Sequence, residues 1–169
     1  NVLVLGSGGR EHALAWIFAK DNNVGKVYCA PGNGGTNEIA ENITVNLKNH
    51  QEVFRLAQEK NIDLTVVGPE GPLAHGIVDS FREGGLRIFG PDAYSAQLES
   101  SKLFARDFMA ENNIPHPDYY SCNTREETET LKDILELPLV LKADGLAAGK
   151  GVLVCQNDDE FNKALITIF

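Results

Sequence analysis

Val2-Leu3-Val4-Leu5-Gly6-Ser7-Gly8-Gly9-Arg10-Glu11-His12 opens the chain and decides how the rest is read. Four consecutive apolar residues predict a short strand covered on both faces, as in a parallel sheet. The glycines break it, and residues 11–20 then predict a helix with Ala13, Trp16 and Ile17 on its apolar face. Glycine lets the backbone turn sharply and come close to a ligand. The free N–H groups and the dipole of a helix start favour an anion at such a bend. A tight turn needed only for helix–sheet packing would use the same residues, and both readings stand on this stretch.

The pattern repeats outward. Residues 27–30 predict a second strand, ended by Pro31-Gly32-Asn33-Gly34-Gly35-Thr36. Asn49, with Glu52 three residues on, predicts a helix start, and Val53, Leu56 and Ala57 give that helix its apolar face. Residues 64–67 predict a third strand, punctuated by Gly68-Pro69-Glu70-Gly71-Pro72, with Leu73, Ile77 and Phe81 lining the next helix. Residues 87–89 predict a fourth strand. Strand, glycine-rich turn and helix in alternation predict an α/β domain with a parallel, Rossmann-like sheet. Such sheets bind ligands beyond the carboxyl ends of their strands, where the three glycine-rich breaks fall. Plain turn chemistry would use the same residues, but their shared place at the sheet edge favours the expectation that Asn33, Thr36 and Glu70 converge with the first loop on one sugar phosphate.

From residue 94 the chain reads differently. Residues 94–112 predict a helical stretch with Ala105, Phe108 and Met109 as its apolar face. Residues 118–121 predict a short strand, and Thr124 and Glu127 cap a helix faced by Leu131, Ile134 and Leu135. Strands at 139–142 and 152–155 flank a glycine-rich loop, and Asn157 and Glu160 cap a last helix. We place a domain boundary near Ser100, giving 1–100 and 101–169. The apolar ending Ala164-Leu165-Ile166-Thr167-Ile168-Phe169 leads us to expect an incomplete α+β second domain.

The net charge of −9 makes nucleic acid and anionic lipid poor partners. No run of ~18 apolar residues predicts a membrane helix. No basic leader is visible at the start, and Cys29, Cys122 and Cys155 form no Cys-x-x-Cys pair. Reduced thiols in a cytoplasmic protein are therefore expected.

Asp144-Gly145-Leu146-Ala147-Ala148-Gly149-Lys150-Gly151 is the more specific loop. A Walker A loop has four residues before Gly-Lys and then Ser or Thr; here three intervene, Gly151 follows, and a strand comes next. The loop is thus expected to be a hairpin flap whose N–H groups drape over a triphosphate. Lys142, ending an apolar strand, would add a fixed point charge. Lys102 could add another, although taken alone it reads better as a solvated helix lysine.

These residues resemble a known family. Gly8-Gly9-Arg10-Glu11-His12-Ala13-Leu14-Ala15-Trp16, Pro31-Gly32-Asn33-Gly34-Gly35-Thr36, Gly68-Pro69-Glu70, Gly76-Ile77-Val78-Asp79, Phe89-Gly90-Pro91, Ser101-Lys102 and residues 142–151 look like the ordered motifs of glycinamide ribonucleotide synthetases. These enzymes are also called phosphoribosylamine–glycine ligases. The resemblance covers essentially the whole chain. It implies a pre-ATP-grasp domain followed by the beginning of an ATP-grasp domain. It also implies an ATP-dependent ligase of purine biosynthesis that joins phosphoribosylamine to glycine through a glycyl phosphate, yielding ADP and phosphate. Gly8, Gly9, Arg10, Glu11, Asn33, Gly34, Thr36 and Glu70 would then bind the sugar-phosphate substrate. Lys102, Lys142, Asp144, Gly145, Ala148, Gly149, Lys150 and Gly151 would hold ATP. No catalytic side chain is assigned. The family's Mg²⁺ ligands are expected beyond Phe169, so this stretch alone is not expected to complete the reaction. Ser100 and His116 depart from the commoner Gly and Thr of the family.

Other readings are a biotin carboxylase-like or other purine-pathway cousin, a nicotinamide oxidoreductase and a non-catalytic sugar-phosphate module. Glu11 in place of the fingerprint's last glycine, and Ala30 where an acidic residue would hold a ribose, count against the nicotinamide enzyme.

Overall fold

A computed structural model describes residues 1–147 and 151–169. The chain forms two compact units, Asn1–Ala96 and Gln97–Phe169. The first begins with β1 (Val2–Gly6), α1 (Gly9–Ala19), β2 (Val27–Pro31), a 3₁₀ turn (Thr36–Glu38) and β3 (Glu41–Asn42). It continues with α2 (His50–Glu59), β4 (Leu64–Val67), α3 (Glu70–Ala74), α4 (Ile77–Glu83) and β5 (Ile88–Phe89). Helix α5 (Ala93–Ser100) passes into the second unit, which holds α6 (Lys102–Glu111), α7 (Arg125–Ile134), β6 (Leu139–Lys142), β7 (Val152–Cys155) and α8 (Asp158–Ile168).

The five strands of the first unit are all parallel, in the order β3-β2-β1-β4-β5. Side chains alternate along β1, so its apolar run must serve two cores. Leu3 and Leu5 enter one, with Val53, Leu56 and Ala57 of α2 and Ile77, Val78 and Phe81 of α4. Val2 and Val4 enter the other, with Ala15, Cys29 and Val66. Every residue of β1 is buried, as expected for a strand covered on both faces. Phe54 and Phe81 meet edge-to-face at 5.4 Å and join α2 to α4. The outer strands have two residues each. Glu41 on β3 is bridged by Lys26 (2.5 Å) and Lys60 (3.0 Å).

In the second unit β6 and β7 form an antiparallel hairpin, with Leu139 opposite Cys155 and Lys142 opposite Val152. Its inner face, Leu139, Leu141, Leu153 and Cys155, packs on Phe161, Ala164 and Leu165 of α8. The expected caps form: Asn49, Thr124 and Asn157 accept from the N–H groups of Glu52, Glu127 and Glu160. All three thiols are free, and Cys29 and Cys155 are buried. Among the described residues no helix is long and apolar enough to cross a membrane.

Several sequence expectations are corrected. Helix α1 buries Glu11 and Ala15, with Leu14 and Phe18 packed against the core, while Trp16 and Ile17 are 47% and 54% exposed. The small Ala15 lets the helix approach the sheet, and the indole is left outside beneath the Lys20 ammonium, 3.5 Å from its ring. The stretch after β4 is two helices. They are divided at Gly76, whose φ of 81° is left-handed and suits glycine. Residues 118–121 pair with no strand among the described residues; Tyr119 instead donates to Asp107 Oδ1 on α6 (2.6 Å). Helix α6 buries none of its side chains fully, and Ile134 of α7 is exposed, because α8 fills the hairpin's inner face.

The burial pattern separates two substitutions in urea unfolding of the first unit. Phe81→Ala is expected to cost about 3–5 kcal/mol. Trp16→Ala is expected to cost less than about 1 kcal/mol, being a surface change.

Candidate functional site

Because β1, β2 and β4 run in one direction, their following turns share one edge of the sheet. The strand order reverses at β1, which opens the crevice typical of ligand sites between the ends of β1 and β4. The Gly32 N–H donates to Gly6 O (3.1 Å) and the Gly68 N–H to Leu5 O (3.1 Å), so the strands stay joined into the turns.

The first turn is built around Glu11. This side chain, the third residue of α1, curls back under the loop, and its Oε2 accepts from the Gly8 N–H (2.5 Å). That is the carboxylate half of a capping box. The residue is 3% exposed. A β-carbon on Gly6 would lie 2.6 Å from Glu11 Cγ, and one on Gly68 would overlap the carboxylate. Gly6 also has φ of 121°. These two glycines are thus required by the carboxylate's position. Gly9 has open space where a β-carbon would stand. Helix geometry leaves the first-turn N–H groups of Gly9 and Arg10 without an acceptor inside α1.

The second turn is cross-linked to the first. Asn33 Nδ2 donates to Ser7 O (2.9 Å) and Gly8 O (3.3 Å), while its Oδ1 accepts from the Thr36 N–H (2.9 Å). Thr36 Oγ1 accepts from the Asn33 N–H (2.7 Å) and lies 2.8 Å from Asn42 Oδ1. Asn42 Nδ2 in turn donates to Asn33 O (2.7 Å). Gly34 is exposed, and a β-carbon there would meet nothing within 4 Å. Gly35 packs against the imidazole of His12.

The third turn brings Glu70 across the crevice. Arg10 Nη2 donates to Glu70 Oε2 (3.2 Å), and both side chains are exposed. Glu70's own N–H and the Arg10 guanidinium hold its carboxyl below the usual range.

The structure therefore gathers Gly8, Gly9, Arg10, Asn33, Gly34 and Glu70 at one edge. Two expected ligands are not on its surface. Glu11 lies beneath the loop with its Oε2 engaged, and Thr36 is fully buried with its hydroxyl taken up by Asn33 and Asn42. Both orders follow from backbone donors inside the turns that a carboxylate and a hydroxyl satisfy. Sequence reasoning missed Asn42, which has no local signal, and the Gly8-x-x-Glu11 spacing, which did announce the buried carboxylate.

In the second unit the two separated motifs meet. Asp144 Oδ1 accepts from the Lys102 N–H (2.6 Å) and its Oδ2 from Ser101 Oγ (3.0 Å), so the loop caps the start of α6. Lys102 Nζ donates to Gly145 O (2.8 Å). Burial pushes the Asp144 carboxyl upward, but the donors of Lys102, Ser101, Leu103 and Gly145 outweigh it and hold it below the ordinary 3.8. Gly145 has φ of 92°. Lys142 stands on the outer face of the hairpin with Val140, Val152 and Val154, all exposed. Gly151 is buried, and a β-carbon there would crowd Ala147 at 2.7 Å. Ala148, Gly149 and Lys150, the other expected ATP contacts, lie outside the described residues. Among the described residues no group of three or more His, Cys, Asp or Glu gathers to hold a metal ion.

Comparison with known proteins agrees with this architecture. Residues 1–99 match the model for the phosphoribosylglycinamide synthetase N domain, and residues 100–169 match that for its ATP-grasp (A) domain. Phosphoribosylamine–glycine ligase of Clostridium acetobutylicum is 50% identical over 156 residues, covering 92% of this chain and 38% of the relative. That of Pseudomonas aeruginosa is 50% identical over 167 residues, covering 98% of this chain and 39% of the relative. The crystal structure of phosphoribosylamine–glycine ligase from Thermotoga maritima superposes with a TM-score of 0.73 at 31% identity, over 99% of this chain and 38% of that one. N5-carboxyaminoimidazole ribonucleotide synthetase from Thermus thermophilus, at 18% identity and a TM-score of 0.76 over 99% of this chain and 44% of that one, shares the fold. The chain thus spans about two fifths of the length of the curated relatives it matches. On the match of its first 99 residues and of those that follow, the chain belongs to the phosphoribosylglycinamide synthetase family.

Proposed function

We propose that the chain serves the ATP-dependent joining of glycine to 5-phosphoribosylamine in the cytoplasm, giving glycinamide ribonucleotide, ADP and phosphate in de novo purine biosynthesis. The observation that carries this reading is Arg10, set against Glu70 at the crevice between β1 and β4 in a chain of this family. A phosphate ester would take the first-turn N–H groups of Gly9 and Arg10, the helix dipole and the guanidinium. Glu70, released from Arg10, would accept from the sugar hydroxyls. Gly8 and Gly34 would let the ligand approach the backbone, and Asn33 would keep the two turns in register.

The second unit would hold ATP. Lys142 would meet phosphate oxygens, with Lys102 beside the loop, and the valines of the outer hairpin face would offer an apolar surface to a planar base. The clamp by Asp144 would fix Lys102 and Gly145 before ATP arrives. ATP supplies the phosphoryl group that turns glycine's carboxylate into a glycyl phosphate, which the amine of phosphoribosylamine then attacks. The residues named here bind, orient and neutralise charge, and none is assigned as a nucleophile. The described residues are given no part in holding Mg²⁺.

Calorimetry of this chain with ribose 5-phosphate tests the first site. Binding is expected, and Arg10→Ala is expected to weaken it about tenfold or more, since a charged hydrogen bond contributes about 1.5–3 kcal/mol. No heat with the unaltered chain would overturn the site.

Turnover is tested on this chain extended to the length of its relatives. ADP release is expected to require both glycine and phosphoribosylamine. Lys142→Ala is expected to lower kcat/KM about 10²–10³-fold, the usual loss of a positioned charge.

The clamp has its own acid signature. A carboxyl held below 3.8 in the fold contributes its stabilisation above that pH and loses it as pH falls through the lowered value. The amide resonance of Lys102 is expected to titrate below 3.8 and to stop doing so in Asp144→Asn.

A further inference from the structure

Glu11 presents a puzzle that capping alone does not solve. A buried carboxylate with few partners is costly unless something answers its charge. Glu11 is 3% exposed, and Oε2 has the Gly8 N–H. Oε1 is buried and makes no hydrogen bond to the described residues. A neutral glutamine could cap Gly8 equally well. The nearest cation is Arg10, whose Nε lies 4.0 Å from that free oxygen, within ion-pair range and outside hydrogen-bond range. The guanidinium is therefore approached from two sides. Glu70 Oε2 bonds Nη2 across the crevice at 3.2 Å, and Glu11 Oε1 lies 4.0 Å from Nε.

The two carboxylates are not equivalent. Glu70 is exposed and free to turn away. Glu11 is pinned by Gly8 and walled in by Gly6 and Gly68, so its oxygen cannot follow a ligand. We propose that Glu11 is a positioning residue: its buried, free Oε1 holds the Nε edge of Arg10, so that the Nη edge stays aimed into the crevice when a phosphate replaces Glu70. A single anchored edge keeps a long, mobile side chain from wandering and lowers the ordering cost of binding. The inference rests on the sugar-phosphate reading of the first unit, and it adds a residue that touches no ligand.

The test is a double-mutant cycle on this chain, with ribose 5-phosphate as the probe. Glu11→Gln keeps an oxygen for Gly8 and removes the charge. It is expected to stay folded by circular dichroism and to bind about three- to fivefold more weakly, the scale of one charge pair near the surface. In an Arg10→Ala background the same substitution is expected to change affinity less than twofold. Glu11→Gln binding like the unaltered chain, or losing as much with Arg10 absent, would overturn the inference while the phosphate site stood. Failure of the unaltered chain to bind would remove the site itself. Should Glu11→Gln not fold, the unaltered chain still decides. By ¹⁵Nε relaxation the Arg10 side chain is expected to be ordered both before and after ribose 5-phosphate is added, and a freely moving Nε in both states would refute the idea.

Discussion

A single carboxylate, pressed under the first loop, sets the geometry of the whole sheet edge. Glu11 occupies space that β-carbons at Gly6 and Gly68 would need, and it takes up the Gly8 N–H. Gly6 ends β1 and Gly68 follows β4, at points far apart in sequence. One buried side chain thus sets how near the two turns stand. The crevice, the exposed Arg10 and its partner Glu70 all follow from that spacing. The glycine-rich character of this edge is therefore a packing demand first, and openness to a ligand at Gly9 and Gly34 is what remains once it is met.

The second unit answers the same need with a different arrangement. Here the carboxylate of Asp144 is part of the loop, and it reaches outward to cap α6 through Lys102 and Ser101. In the first unit an acidic side chain goes from helix to loop; in the second it goes from loop to helix. Both offer a charged acceptor to backbone N–H groups, which form stronger hydrogen bonds to an ionised partner.

Most of the scaffold could be read from periodicity. The run 2–5, the Asn49 and Glu52 cap and the apolar pairs at 139–142 and 152–155 carry their period and punctuation locally. What stayed hidden depended on distant partners. Strand β3 is Glu41–Asn42, two polar residues whose pairing is decided by β2 and whose role is decided by Thr36. Residues 118–121 have strand-like composition but no neighbour to pair with among the described residues. On α1, helical spacing put Ala13, Trp16 and Ile17 on one apolar face, whereas closeness to the sheet favoured small Ala15 and the inward carboxylate. The site was legible as a set of loops and illegible as a set of contacts. Thr36 and Glu11 belong to the inside of the turns, and no spacing rule distinguishes an acceptor for a ligand from an acceptor for the backbone.

The rims of the five-stranded sheet carry a consequence for solubility. A parallel sheet with largely apolar inner strands is a template on which foreign extended segments can stack. Here both outer ladders end after two residues, and on the β3 side an incoming segment meets Glu41 already spanned by two ammonium groups. A stranger finds too few open amides to register with and a charge cluster to disrupt. Short rims of this kind leave the apolar centre little open backbone on which another chain could stack.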